Sequence, residues 1–253
     1  MPLAMVTGAS SGIGLELSRE FAEHGFDVVM VAEEAAIHTA AAEIGPKARP
    51  LQLDLTDPAA VEELIDQVGI PDAVAINAGT GVGGAFVHET TLEDQLATVD
   101  LNIRSAVHLA KRVLPGMVDR KSGRVMITSS IASAMPGPYQ AVYNASKAFL
   151  RSFAQGVRQE LKGTGVTITT LMPGLTETRF FERAGMLDTK LGATSLKGSA
   201  TTVAHEGFEA LMKGRSSVIP GTIINRLQTL GSRLLPDRVL AAVHGKLSKP
   251  GTA

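Results

Sequence analysis

Short apolar runs alternate along the chain with longer amphipathic stretches, and most of the runs are apolar at consecutive positions rather than at every second one. Candidate strands fall at residues 3–7, 27–32, 48–53, 73–77, 123–129, 166–171 and 217–219, and helical periodicity lies between them near 12–24, 35–44, 58–67, 91–117, 141–162 and 200–213. Strands covered by helices on both faces need apolar side chains on both, whereas an antiparallel sheet with one wet face would alternate. The pattern therefore predicts repeated βαβ units in an α/β fold, a parallel sheet flanked by helices on both faces.

Several element ends carry local signals. Asp57-Pro58 places a capping residue before a proline at the first helical position, and Gly163 and Gly165 can end the helix over 141–162. No linker or internal repeat interrupts the chain, and residues 1–220 read as a single domain followed by a basic extension over 221–253. Residues 179–198 lack firm periodicity yet hold Phe180, Phe181, Met186 and Leu187. They fit a mobile substrate lid and equally an ordinary pair of surface helices.

Composition narrows the class. With 253 residues, 44% hydrophobic and 19% charged, the chain can bury a full core. The absence of cysteine excludes a disulfide framework, a thiolate nucleophile and a Cys-ligated metal, and no metal site is expected. An apolar strand and a glycine loop follow Met1 at once, so no secretory leader is expected, and no apolar run approaches the roughly 20 residues that cross a bilayer. Cytoplasm is the expected location. Residues 213–253 hold seven basic side chains and one acid, a balance of +6, while the other 17 basic and 24 acidic residues give −7. A basic tail of this kind covers the acidic body of its own domain or of a neighbouring subunit, with an anionic membrane surface as the less favoured alternative; no nucleic-acid partner is expected.

The first strand runs into Thr7-Gly8-Ala9-Ser10-Ser11-Gly12-Ile13-Gly14, and a helix follows. Glycine permits backbone angles and close approach that a Cβ blocks, and the N–H groups and positive dipole end of the new helix suit a pyrophosphate. Downstream, Tyr143 and Lys147 lie four residues apart on one predicted helix, so their side chains share a face. A phenol of pKa about 10 is a poor proton carrier at neutral pH, and a neighbouring ammonium favours its phenolate. Hydride arriving at a carbonyl leaves an alkoxide that Tyr143 can protonate, and the reverse oxidation uses the same residue as base.

Thr-Gly-x-x-x-Gly-x-Gly from Thr7, Asn77-Ala78-Gly79 after the fourth strand and Tyr143-x-x-x-Lys147 together resemble the classical short-chain dehydrogenase/reductase family over about residues 3–220. The resemblance implies a Rossmann-type doubly wound sheet of about seven parallel strands. It also implies that Ser130 hydrogen-bonds the substrate oxygen, with Ser129 and Ser133 as rival hydroxyls, and that Asn102 kinks a helix and holds a water linking Lys147 to solvent. The cofactor contacts it implies are Thr7, Gly8, Ser10, Ser11, Gly12, Ile13 and Gly14 in the loop, Asp54 and Leu55 by the adenine, and Asn77, Ala78 and Gly79 behind the ribose. Tyr143, Lys147 and the segment Pro173, Gly174, Thr176 and Thr178 complete them beside the nicotinamide.

A carboxylate at the end of the second strand suits a ribose 2′-hydroxyl, whereas a 2′-phosphate wants Arg or Lys. Ala32-Glu33-Glu34 offers two acids, Glu33 lies 19 residues beyond Gly14, and no basic residue appears before Lys47. NAD(H) is favoured, with NADP(H) as the alternative, although the family's NAD users more usually carry Asp where this chain has Ala32. The expected activity is hydride transfer between a nicotinamide dinucleotide and a ketone or secondary alcohol. Residues 134–139, the loop after Gly79 and Phe180 and Phe181 bound a mostly apolar pocket, which predicts a neutral small-molecule carbonyl or alcohol substrate. A dinucleotide-sensing regulatory protein without turnover is the main rival reading, and an epimerase or dehydratase of the longer relatives is a second. The family's pairing of its long helices implies a homodimer or homotetramer. Ile223, Ile224, Leu227, Leu230, Leu234 and Leu235 recur at roughly helical spacing in the tail, which could cap the substrate pocket.

Overall fold

The structure, a computed structural model, describes residues 1–221 and 235–253. Among these residues seven strands form one sheet: β1 (Leu3–Thr7), β2 (Asp27–Ala32), β3 (Ala48–Gln52), β4 (Ala73–Ile76), β5 (Gly123–Thr128), β6 (Val166–Leu171) and β7 (Ser217–Val218). Their order is β3-β2-β1-β4-β5-β6-β7 and every neighbouring pair is parallel. The predicted doubly wound sheet is thus present.

Helices cover both faces. On one, α1 (Gly12–Glu23), α2 (Ala36–Ile44) and α9 (Ala200–Met212) bury Leu17, Phe21, Ile37 and Phe208 with Val6, Val28 and Met30 of the strands. On the other, α3 (Pro58–Val68), α5 (Ser105–Asp119) and α6 (Ala141–Glu160) bury Leu64, Leu109, Val113 and Leu150 with Met5, Val74 and Ile127. The two-faced burial explains why β1, β2 and β4 read as continuous apolar runs. Strand β3 departs from it because it is an edge, where Arg49, Pro50 and Gln52 are compatible with one unpaired side.

The local signals act as read: the Asp57 carboxylate accepts a hydrogen bond from Ala59 N at 2.8 Å at the start of α3. The helix expected over 91–117 is corrected. It is α4 (Leu92–Val99), a π-helical turn over Asp100–Arg104, then α5. Such turns insert a residue into the helix and recur at functional sites, and here the turn carries the buried Asn102. Residues 179–198 form two short helices, α7 (Phe180–Arg183) and α8 (Lys190–Ala193), folded around buried Phe181, Ala184 and Met186.

The final helix, α10 (Asp237–Ser248), lies against the domain: Ser248 Oγ donates to Pro138 O at 2.8 Å. Just beyond it, the backbone N–H groups of Thr252 and Ala253 donate to Asp188 O at 3.0 and 2.9 Å. Of the apolar tail positions singled out above, all but Leu235 lie outside the described residues. No helix among the described residues is long and apolar enough to cross a membrane.

Candidate active site

Strand order reverses between β1 and β4, so the connections leaving their carboxyl ends diverge and open a crevice, the place where doubly wound sheets bind ligands. A cavity of about 630 Å³ fills it and runs from the glycine loop and Glu33 and Glu34, past Asn77–Thr80 in the next loop, to Ser130, Tyr143 and Lys147.

The loop between β1 and α1 needs its glycines. Gly8 and Gly12 stand at φ +65° and +56°, a Cβ on Gly8 would come within 2.8 Å of Ala78 Cα, and one on Gly14 would overlap the Gly8 carbonyl. A floor this close to backbone, opening on the N-terminus of the 12-residue helix α1, fits a pyrophosphate. Thr7 lies behind the cavity lining. Its hydroxyl is buried and accepts from Asn77 N at 2.9 Å and Ala78 N at 3.0 Å, so it ties β1 to the end of β4. Asn77 bonds back through Nδ2 to Thr7 O at 3.1 Å and accepts from Thr128 Oγ1 at 3.1 Å. Asp54 and Leu55 line the cavity, with the Asp54 carboxylate also closing a turn on Thr56 N at 2.8 Å.

At the end of β2 it is Glu34, more than Glu33, that engages the loop. Ser10 Oγ donates to one Glu34 oxygen at 2.6 Å, and Arg183 of α7 approaches the other at 2.6 Å. Arg183 also reaches Ser11 Oγ at 3.4 Å. This contact between Arg183 and the cleft depends on long-range folding and leaves no local signal in the sequence. Gly174, Thr176 and Thr178 line the same cavity, and a Cβ on Gly12 would meet the Thr178 methyl at 2.9 Å.

The reacting end is built on α6 and the end of β5. Lys147 is 4% exposed, its Nζ donates to Thr128 O at 3.0 Å and lies 5.8 Å from the centre of the Tyr143 ring. Ser130 is placed to hydrogen-bond Tyr143, and its Oγ also accepts from Ala132 N at 3.1 Å. Ser129, its neighbour, has its hydroxyl engaged and donates to Lys147 O at 2.7 Å, while Ser133 lines a separate groove with Pro136 and Pro138. Asn102 is fully buried: its Oδ1 accepts from Thr80 N, and its Nδ2 donates to Thr80 O and Ser146 Oγ, all at 2.9 Å. It fastens the loop after β4 to α6. Phe180 packs on Tyr143 with ring centres 4.9 Å apart. Gln140, which the sequence reading missed, is buried and lines the cavity just before α6.

Electrostatically the expected depression of the Tyr143 pKa is not what the cavity produces on its own. Burial pushes the phenol up to about 12, against a smaller lowering by its hydrogen bond with Ser130, and burial pulls Lys147 down to about 8. Desolvation of the charged form is the leading cause for both groups. Tyr143 is therefore held protonated, as a proton donor must be.

Residues 2–186 match the family described as short chain dehydrogenase. The chain is 33% identical over 178 residues to the NADP-dependent 3-hydroxy acid dehydrogenase YdfG of Salmonella typhi, covering 68% of this chain and 72% of that protein. It is 34% identical over 183 residues to the serine 3-dehydrogenase of Agrobacterium fabrum, covering 70% and 72%. Among solved structures it resembles a short-chain dehydrogenase from Sphingobium yanoikuyae in complex with NADPH, at TM-score 0.81 and 28% identity over 92% of this chain and 94% of that one. The closed form of serine dehydrogenase complexed with NADP+ gives TM-score 0.78 and 28% identity over 86% and 93%.

Proposed function

Because this chain belongs to the short chain dehydrogenase family, and is accordingly an NAD(P)-dependent oxidoreductase acting on CH–OH and C=O groups, we propose that Tyr143 is its general acid and base. The observation that carries this is the joining of Ser130, Tyr143 and Lys147 to the glycine loop in one cavity. The dinucleotide supplies the hydride in one direction and takes it in the other. Ser130 hydrogen-bonds the substrate oxygen, the Tyr143 hydroxyl gives its proton to the forming alkoxide, and Lys147 offsets the phenolate that remains. Asn102 positions α6 against the loop after β4 through Ser146 and Thr80. A sensor without turnover is disfavoured by relatives that are dehydrogenases by name.

NAD(H) is the cofactor we favour, supported by Glu33 and Glu34 at the end of β2. NADP(H) is a second reading, favoured by the relatives' names and by Arg183, a cation beside Glu34 that a 2′-phosphate would attract. The substrate is a neutral, largely apolar ketone or secondary alcohol. Pairing of copies through α4 and α6, into a dimer or tetramer, is supported by exposed Leu92, Leu96 and Phe149. The cysteine-free composition supports a cytoplasmic location. A panel of ketones and alcohols, followed by nicotinamide absorbance with each cofactor, tests activity, cofactor and substrate together. Turnover confined to sugar acids or charged acyl carriers would overturn the substrate assignment.

A further inference from the structure

Helix α10 turns one stripe toward the cavity that holds Tyr143. Leu240, Val243, His244 and Leu247 all line that cavity, at the i, i+3, i+4, i+7 spacing of a single helix face. Leu240 and His244 are 6% exposed, whereas Val243 and Leu247 remain 53% and 40% exposed. Half-exposed aliphatic side chains directed into this cavity are apolar surface that the described residues leave uncovered. Phe180, packed on the Tyr143 ring, and Leu191 of α8 line the same cavity and continue the apolar surface from the reacting end.

The helix is fastened to both sides of the site. Ser248 Oγ lies 3.0 Å from His244 Nδ1 and donates to Pro138 O at 2.8 Å, on the loop that leads into α6. Beyond α10, Gly251 N donates to the Asp188 carboxylate at 2.8 Å, between α7 and α8. The stripe is thus held in register with Tyr143 rather than lying loosely over the opening.

We infer that α10 is a substrate-recognition element: its stripe of Leu240, Val243, His244 and Leu247 receives the apolar body of a carbonyl substrate whose reacting carbon lies at Tyr143. The inference rests on the carbonyl-reductase reading above and adds where the rest of the substrate goes. An extended aliphatic or alicyclic ketone matches this wall; a small hydroxy acid would leave it uncovered.

The test is a homologous series of unbranched 2-ketones, from butanone to decanone, with the parent protein and with the Val243→Asp, Leu247→Asp and Val239→Asp variants. Val239 is 44% exposed and outside the cavity, so it controls for a charge added to the helix. In the parent and in V239D, kcat/KM rises roughly threefold to fourfold per methylene. In V243D and L247D that gradient flattens, with matching thermal midpoints excluding misfolding. Calorimetric binding of 2-decanone to Tyr143→Phe protein, with and without V243D, reads the same contact without turnover. A gradient that is flat in the parent, or equal in all variants, overturns the inference while leaving the oxidoreductase reading intact. Ketone binding that depends on Val243 in a protein that reduces no ketone overturns the reading and leaves the recognition surface.

Discussion

The guanidinium of Arg183 lies 2.6 Å from one carboxylate oxygen of Glu34, while the other oxygen of that carboxylate accepts from Ser10 at 2.6 Å. Arg183 of α7 is thereby joined to the segment that follows β2. Both side chains are about two-fifths exposed, at 42% and 40%, so the pair itself contributes only about 0–1 kcal/mol to stability. Its weight falls on the ribose end of the cofactor. Glu34→Gln removes a negative charge from that end and should raise the NADPH to NADH ratio of kcat/KM by about tenfold, which is ~1.4 kcal/mol. Arg183→Ala should lower the same ratio. Equal changes with both cofactors would show that the pair fastens α7 and does not select.

Tyr143→Phe keeps the ring that packs on Phe180 and removes the proton. We expect kcat to fall by about 10²- to 10⁴-fold, with the dissociation constant of the reduced cofactor, read by fluorescence, changed less than a few fold. Retention of full activity on any substrate of the parent would falsify the proposed proton donor.

Lys147 is 4% exposed and its ammonium is disfavoured down to about pH 8. The folded pKa lies below the ordinary value of 10.5, so the unfolded chain binds more protons between these limits and stability rises with pH across that window. The cost of the buried charge is fully present below pH 8. Lys147→Met should therefore raise stability by roughly 3 kcal/mol at pH 7, less the lost bond to Thr128 O, with the gain fading toward pH 10.5. A stability difference between the two proteins that does not vary with pH in thermal melts would contradict this. In the parent, kcat/KM for carbonyl reduction should decline above about pH 8 as Lys147 loses its proton.

Two glycines predict opposite outcomes for the same substitution. Gly14→Ala would drive a methyl into the Gly8 carbonyl, and we expect a loss of about 1–3 kcal/mol together with weakened cofactor binding. Gly156→Ala, in the exposed interior of α6 with nothing within 4 Å, should stabilise by about 0.5–1 kcal/mol. Denaturant melts of the two variants decide the matter, and a common sign would refute the geometry assigned to the loop.

What the sequence disclosed was what depends on near neighbours along the chain. Two-faced apolar runs gave the strands, because burial on both sides dictates their composition. Tyr143 and Lys147 were legible because four residues on a helix fix their mutual geometry. Contacts between distant segments were not. The bond from Arg183 to Glu34, and the face that α10 turns to the cavity, exist only once the sheet has brought these segments together. Thr7 and Asn102 were named from the sequence, but their hydrogen-bond partners were not. Each has its polar atoms used by backbone that the linear order places far away. Ser129 and Ser130 differ in their partners, the first bonded to Lys147 O and the second to Tyr143.

The reversal of strand order between β1 and β4 divides this enzyme into two inheritances. The glycine loop and Asn77–Gly79 hang from the strand ends along that seam and are locked by backbone-level fits such as Gly8 against Ala78. What faces the substrate's far end comes from α8 and α10, short pieces tied to each other's neighbourhood through Asp188 and to the loop before α6 through Pro138. Grafting α10 from a cousin should therefore retarget the enzyme while leaving Phe180 on Tyr143 and Arg183 on Glu34 in place.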